Sequence, residues 1–72
     1  MHSDEETFRR TMEAHTVDGE PHTVIVLRRG MGNKARVWLT LNGALKTTVC
    51  MTNREATQLA KLLDEAQQLP AR

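Results

Sequence analysis

One stretch of the chain, residues 34–69, constrains the fold most. Residues 34–41 alternate apolar with polar side chains, which predicts a β-strand. Thr52 and Glu55 have the T-x-x-E spacing of a helix capping box. Apolar residues at helical spacing then predict an amphipathic helix over residues 53–69, ended by Pro70. This apolar stripe consists of Ala56, Leu59, Ala60, Leu62, Leu63, Ala66 and Leu69.

The Asn42-Gly43 pair predicts a hairpin turn between this strand and a second one that ends at Met51. A two-residue turn would mix apolar and polar side chains on both faces. A three-residue loop, residues 41–43, with Gly43 in a left-handed bulge, separates the faces and pairs Leu39 with Leu45. We therefore expect two distinct faces. Val37, Leu39, Leu45, Val49 and Met51 form the first, and Arg36, Trp38, Thr40, Lys46, Thr48 and Cys50 form the second.

The N-terminal third is less constrained. Residues 1–6 are expected to be disordered, and residues 3–15 fit either a short capped helix or a strand, of which we favour the strand. The β-branched run within residues 22–28 predicts another strand, joined to the first by a turn at residues 18–21. Pairing the two places Ile25 and Leu27 beside Phe8 and Met12. Val24, Val26 and Arg28 are then expected on the face of Trp38.

Together these elements predict one α+β domain over residues 1–72. It is an antiparallel β-meander of three to four strands (residues 7–51) followed by one C-terminal amphipathic helix packed on one face. At 72 residues the chain is short for a self-sufficient core, and its single cysteine, Cys50, allows no internal disulfide. A homodimer is therefore expected. With no run long enough to span a membrane and no signal-peptide pattern, a cytoplasmic location is expected.

The charge distribution gives the main functional indication. Residues 21–54 contain six Lys and Arg and no Asp or Glu, although the net charge of the chain is only +1. Such a basic segment favours nucleic-acid binding. A Trp beside cations on a sheet resembles a platform on which unpaired bases stack, and the glycine-containing loop at residues 28–34 could contact phosphates. The predicted nucleic-acid-binding residues are Arg28, Arg29, Lys34, Arg36, Trp38 and Lys46.

Other chemistry is weakly indicated. His15 and His22 are expected on one face of the first hairpin, but two ligands without a third do not make a metal site. No acid–base pair or activated nucleophile is evident, so the chain is predicted to be non-enzymatic and to need no cofactor. We predict a small regulatory or accessory protein that binds nucleic acid through a basic sheet face and loop. The alternative is a homodimeric protein-interaction module whose open sheet face contacts a partner through Val24, Val26 and Trp38.

The expected order of elements over residues 8–69, a four-stranded meander followed by one helix, resembles the positive-coactivator and whirly types of single-stranded-DNA-binding protein. The resemblance is one of topology, without a shared motif. It implies an α+β fold and binding of single-stranded DNA, as an analogy at the level of the fold.

Overall fold

The computed structural model describes residues 5–69 of the chain. Its four strands are β1 (Glu6–His15), β2 (Pro21–Arg29), β3 (Arg36–Asn42) and β4 (Lys46–Thr52). They form one antiparallel sheet in chain order, with β1 and β4 at the edges. A short 3-10 turn (Gly32–Lys34) connects β2 to β3, and the helix α1 (Asn53–Gln68) follows β4 directly. The predicted α+β fold, a meander followed by one helix, is confirmed.

The N-terminal segment is a strand, as favoured, and not a helix. β1 pairs with β2 along nearly its whole length, with one irregularity between Glu6 and Phe8. This cross-strand pairing satisfies the backbone of a segment whose apolar residues are too few for a helical stripe. Residues 1–4, most of the segment expected to be disordered, lie outside the described residues, whereas Glu6 already begins β1.

The register of the first hairpin differs from the prediction. Its loop has five residues: Thr16 N–H donates to the Glu20 carbonyl at 2.9 Å, and Gly19 takes a positive φ of 88°. Met12 therefore pairs with Val24. Since neighbouring residues of a strand point to opposite faces, Val24, Val26 and Arg28 join Phe8 and Met12, while Ile25 and Leu27 join Trp38. The expected placement of Val24, Val26 and Arg28 beside Trp38 was wrong.

The register set by the five-residue loop also separates the two histidines. Ala14 pairs with His22, and His15 pairs with Pro21. His15 and His22 therefore lie on opposite faces of the sheet, contrary to the sequence-based expectation. They cannot together form the beginning of a metal site.

In the second hairpin the faces were predicted correctly for every residue except Leu45, but the pairing was not. The loop is residues 43–45, so Leu39 pairs with Val49, and Leu45 is in the loop with 81% of its surface exposed. Gly43 does not have the positive φ of the predicted bulge. The imidazole of His22 instead lies close to Gly43, where a Cβ would require the ring to move.

One side of the sheet is mostly apolar, and we call it the apolar face. It carries Phe8, Met12, Val24, Val26, Val37, Leu39, Leu41, Val49 and Met51. Several of these side chains are exposed, including those of the edge-strand residues Phe8, Met12 and Val49. The best-buried apolar residues described are instead Leu27, on the opposite side, and Ala35, immediately before β3.

The helix begins as predicted. Thr52 Oγ1 accepts from the Glu55 N–H at 3.1 Å, and the Glu55 carboxylate accepts from the Thr52 N–H at 2.9 Å, which completes the capping box. The helix meets the sheet mainly at β4 and β3, and none of its residues is buried. The predicted stop, Pro70, lies outside the described residues. Within residues 5–69, no helix has the length and apolar character needed to cross a membrane.

Candidate nucleic-acid interface

The side of the sheet opposite the apolar face contains an open concavity of about 610 Å³. Its volume lies within the usual range of ligand sites, roughly 300–1,000 Å³. Five cationic side chains line it, namely Arg9, Arg29, Lys34, Arg36 and Lys46. Among the described residues, no Asp or Glu contributes to the lining. We call this site the basic concavity.

Trp38 lies at the centre of the basic concavity because β3 is an inner strand. It pairs with Leu27 of β2 on one side and with Cys50 of β4 on the other, and Arg9 of β1 continues the same row. Leu27 is only 8% exposed, and the indole of Trp38 is half-buried beside it. The indole is thus held in place by its neighbours while it still lines the site.

The next row of the sheet gives the site a polar floor. Thr40 and Thr48 lie opposite each other on β3 and β4, and their hydroxyl oxygens are 3.0 Å apart, within hydrogen-bonding distance. Thr40 is buried, with 7% of its surface exposed. Each hydroxyl has both donor and acceptor capacity. The floor can therefore form polar contacts as well as the apolar contacts of Ile25, which pairs with Thr40.

The loop between β2 and β3 forms one end of the site. Gly30 is buried, adopts a φ of 92° that favours glycine, and donates its N–H to the Glu5 carbonyl at 3.1 Å. Arg36 Nη1 donates to the carbonyl oxygens of Ala35 at 2.9 Å and Asn33 at 3.3 Å. These bonds fix the guanidinium of Arg36 against the turn that carries Lys34. The turn and its carbonyl groups therefore position both Lys34 and Arg36.

One of the five cations is partly neutralised. The Arg9 guanidinium forms two hydrogen bonds with the Glu6 carboxylate, at 3.0 and 3.2 Å. These bonds, with smaller contributions from the charges of Arg9 and Arg29, lower the pKa of the Glu6 carboxyl group. Glu6 therefore stays ionised at neutral pH. Within residues 5–69 the other four cations form no ion pair, so the site keeps most of its positive charge.

Five of the six predicted nucleic-acid-binding residues line the basic concavity. They are Arg29, Lys34, Arg36, Trp38 and Lys46. The sixth, Arg28, lies on the apolar face opposite Val37, and its Nε atom is buried without a hydrogen-bond partner in the described part of the chain. The expectation that Arg28 shares a face with Trp38 is therefore corrected. The predicted interface of Val24, Val26 and Trp38 is likewise divided between the two faces.

Sequence reasoning missed Arg9, Ile25 and Leu27 as lining residues. The register of the first hairpin decides which face all three residues occupy, because Arg9 pairs with Leu27 and Leu27 with Trp38. The burial of Leu27 between a charged edge residue and the only Trp was the missing information. A five-residue loop would have indicated the correct parity, but nothing in residues 16–20 distinguished it from shorter loops.

Comparison of the chain with family models, with curated proteins and with solved structures gave no match. The topological resemblance to single-stranded-DNA-binding proteins therefore remains a prediction from the order of elements. The function is inferred from the chemistry of the basic concavity alone.

Proposed function

We propose that this protein binds single-stranded nucleic acid in the basic concavity, as a small non-enzymatic regulatory or accessory protein. The observation that supports this most is the convergence of five cationic side chains around one Trp, without a carboxylate in the described lining. A ligand for such a site carries several negative charges. The phosphates of a nucleic-acid strand meet that requirement and are regularly spaced along it.

The floor of the site suits bases as well as phosphates. Stacking of a base on an aromatic side chain contributes about 1–3 kcal/mol and tolerates any base. The half-buried Trp38 offers part of its ring, with Thr40 and Thr48 alongside for polar contacts. One aromatic residue supports stacking of only one base, so phosphate contacts are expected to contribute most of the affinity.

A single strand fits this surface better than a duplex. Base edges of duplex DNA are read by an element that enters a groove, such as a helix or a two-stranded ribbon. The cations here surround a recess in the sheet, and none of the described residues of α1 lines it. A flexible strand can follow the recess and place a base against Trp38, which a paired strand cannot do without opening.

The proposal predicts strongly salt-dependent binding of a single-stranded oligonucleotide. The slope of log K against log salt is about −0.7 per phosphate contact for single strands, so four contacts give a slope of about −3. Fluorescence anisotropy of a labelled oligothymidylate, titrated at several salt concentrations, measures this slope. Absence of binding at about 50 mM salt, or binding that is insensitive to salt, would refute the proposal. A duplex of equal length is the control and is expected to bind more weakly.

A further inference from the structure

The apolar face and the apolar stripe of α1 lie outside the basic concavity, and both are partly exposed. On the sheet, Met12 is 61% exposed; on the helix, Leu63 is 63% exposed, and Leu69, directly after the helix, is 73% exposed. Monomeric proteins rarely leave contiguous apolar patches of this kind in water. Two such surfaces on one small chain indicate that something covers them.

The solvent-accessible area of the chain indicates how much surface a partner would bury. It is 6293 Å², whereas a folded monomer of 8.1 kDa exposes about 4,500 Å². If the largest area that seven residues can expose, about 1,150 Å², is set aside for those outside the described range, the other 65 residues still exceed the roughly 4,200 Å² of a folded monomer of their size by about 1,000 Å². A standard protein interface buries about 800 Å² on each partner.

We propose that the cover is a second copy of this chain, with α1 of each copy laid across the apolar face of the other. One chain carries both halves of the contact, a sheet face without a full helical layer and a helix stripe without a full partner. A two-fold axis then satisfies both at once, as in an isologous dimer. The lengths agree, because the 16 residues of α1 span about 24 Å and strands of seven to ten residues span about 23–33 Å.

Arg28 supports a partner that supplies an acceptor as well as apolar side chains. It lies on the apolar face beside Phe8 and Val37, and it forms no ion pair within residues 5–69. A cation enclosed in an apolar contact requires a partner of opposite charge. The helix stripe provides one at its edge, where the carboxylate-bearing Glu65 lies beside Leu62 and Leu69. A second copy therefore brings both the leucines and an acceptor.

Sedimentation equilibrium of the full chain tests this directly. The wild type is expected at twice 8.1 kDa, about 16 kDa. Met12→Lys on the apolar face and Leu63→Lys on the helix stripe are each expected to raise the dimer dissociation constant at least about 100-fold, because both bury an unpaired charge in the contact. Thr11→Lys and Thr57→Lys add the same charge to exposed residues that point away from it, and both are expected to stay dimeric.

Circular dichroism of each variant shows whether it still folds. If a folded Met12→Lys or Leu63→Lys variant remains dimeric, the contact is elsewhere, for example along the edge strands, and the proposal is overturned. If both variants unfold, the melting temperature of the wild type decides. It must rise over an approximately 100-fold increase in protein concentration, as for folding coupled to dimerisation, and a constant value with a mass of 8.1 kDa overturns the proposal. None of these measurements depends on nucleic-acid binding.

Discussion

Replacement of Leu27 with alanine is expected to destabilise the protein by about 2–5 kcal/mol, the range for large-to-small substitutions at buried sites. Leu27 is 8% exposed and is the largest apolar side chain buried among the described residues. It also supports Trp38 from the neighbouring strand. Because a chain of this size gains only roughly 3–5 kcal/mol from its own core, the substitution should leave much of the population unfolded. Urea denaturation at a fixed protein concentration measures the loss.

The matched control is the same substitution at Leu45. Its side chain is 81% exposed in the loop between β3 and β4, so Leu45→Ala should change the free energy of unfolding by no more than about 0.5 kcal/mol. The two substitutions distinguish the core expected from the sequence pattern, which includes Leu45, from the core in the structure, which includes Leu27 and leaves Leu45 exposed. A larger loss at Leu45 than at Leu27 would contradict the burial described here.

The second large effect is expected from neutralising the basic concavity. In the triple variant Arg29→Gln, Lys34→Gln and Lys46→Gln, three cations are lost, while Arg36 is kept because it holds the adjoining loop. With a slope of about −0.7 per contact, each contact contributes about 8-fold at 50 mM salt relative to 1 M, so three lost contacts weaken binding roughly 500-fold. The salt slope should also fall by about 2. Anisotropy titrations of both proteins measure these changes.

A second triple variant controls for net charge. Arg10→Gln, Arg54→Gln and Lys61→Gln also remove three cations, so both variants change the net charge from +1 to −2. Arg10 lies on the side of the apolar face, and the other two are on α1, so none lines the basic concavity. Nearly unchanged affinity and slope are expected for this control. Equal losses in the two variants would mean that binding follows overall charge and has no defined site.

Much of the fold follows from local patterns in the sequence. The helix Asn53–Gln68 was predictable because the capping box and the spacing of the leucines agree, and both are local signals. The two faces of the β3–β4 hairpin were predictable because only one parity separates apolar from polar side chains. The predicted alternation therefore placed Arg36, Trp38 and Lys46 on one face of the sheet, as the structure does.

The first hairpin was not predictable in the same way. β2 is apolar on both sides at Val24, Ile25, Val26 and Leu27, so its pattern does not specify which side faces Trp38. The loop alone sets the parity, and a change of one residue in the register moves every side chain to the other face. The contribution of Arg9 and Leu27 to the candidate site, and the displacement of Arg28 from it, both follow from that one register.

The extent of helix packing is a separate case. The stripe of α1 predicted a core against the sheet, yet no helix residue is buried, and Leu62 and Leu63 are exposed. An amphipathic pattern states that one face of a helix needs an apolar partner, but it does not say whether that partner belongs to the same chain. The dimer proposed above satisfies the same pattern with a second copy.

The fluorescence emission of Trp38 shows whether nucleic acid binds at this residue. Trp38 is the only Trp of the chain, so its fluorescence reports on the basic concavity alone. Titration with a single-stranded oligonucleotide should change the emission and give the same salt-dependent dissociation constant as anisotropy. An oligonucleotide that binds by anisotropy while the emission of Trp38 stays constant would show that the strand lies elsewhere and that the basic concavity is not its binding site.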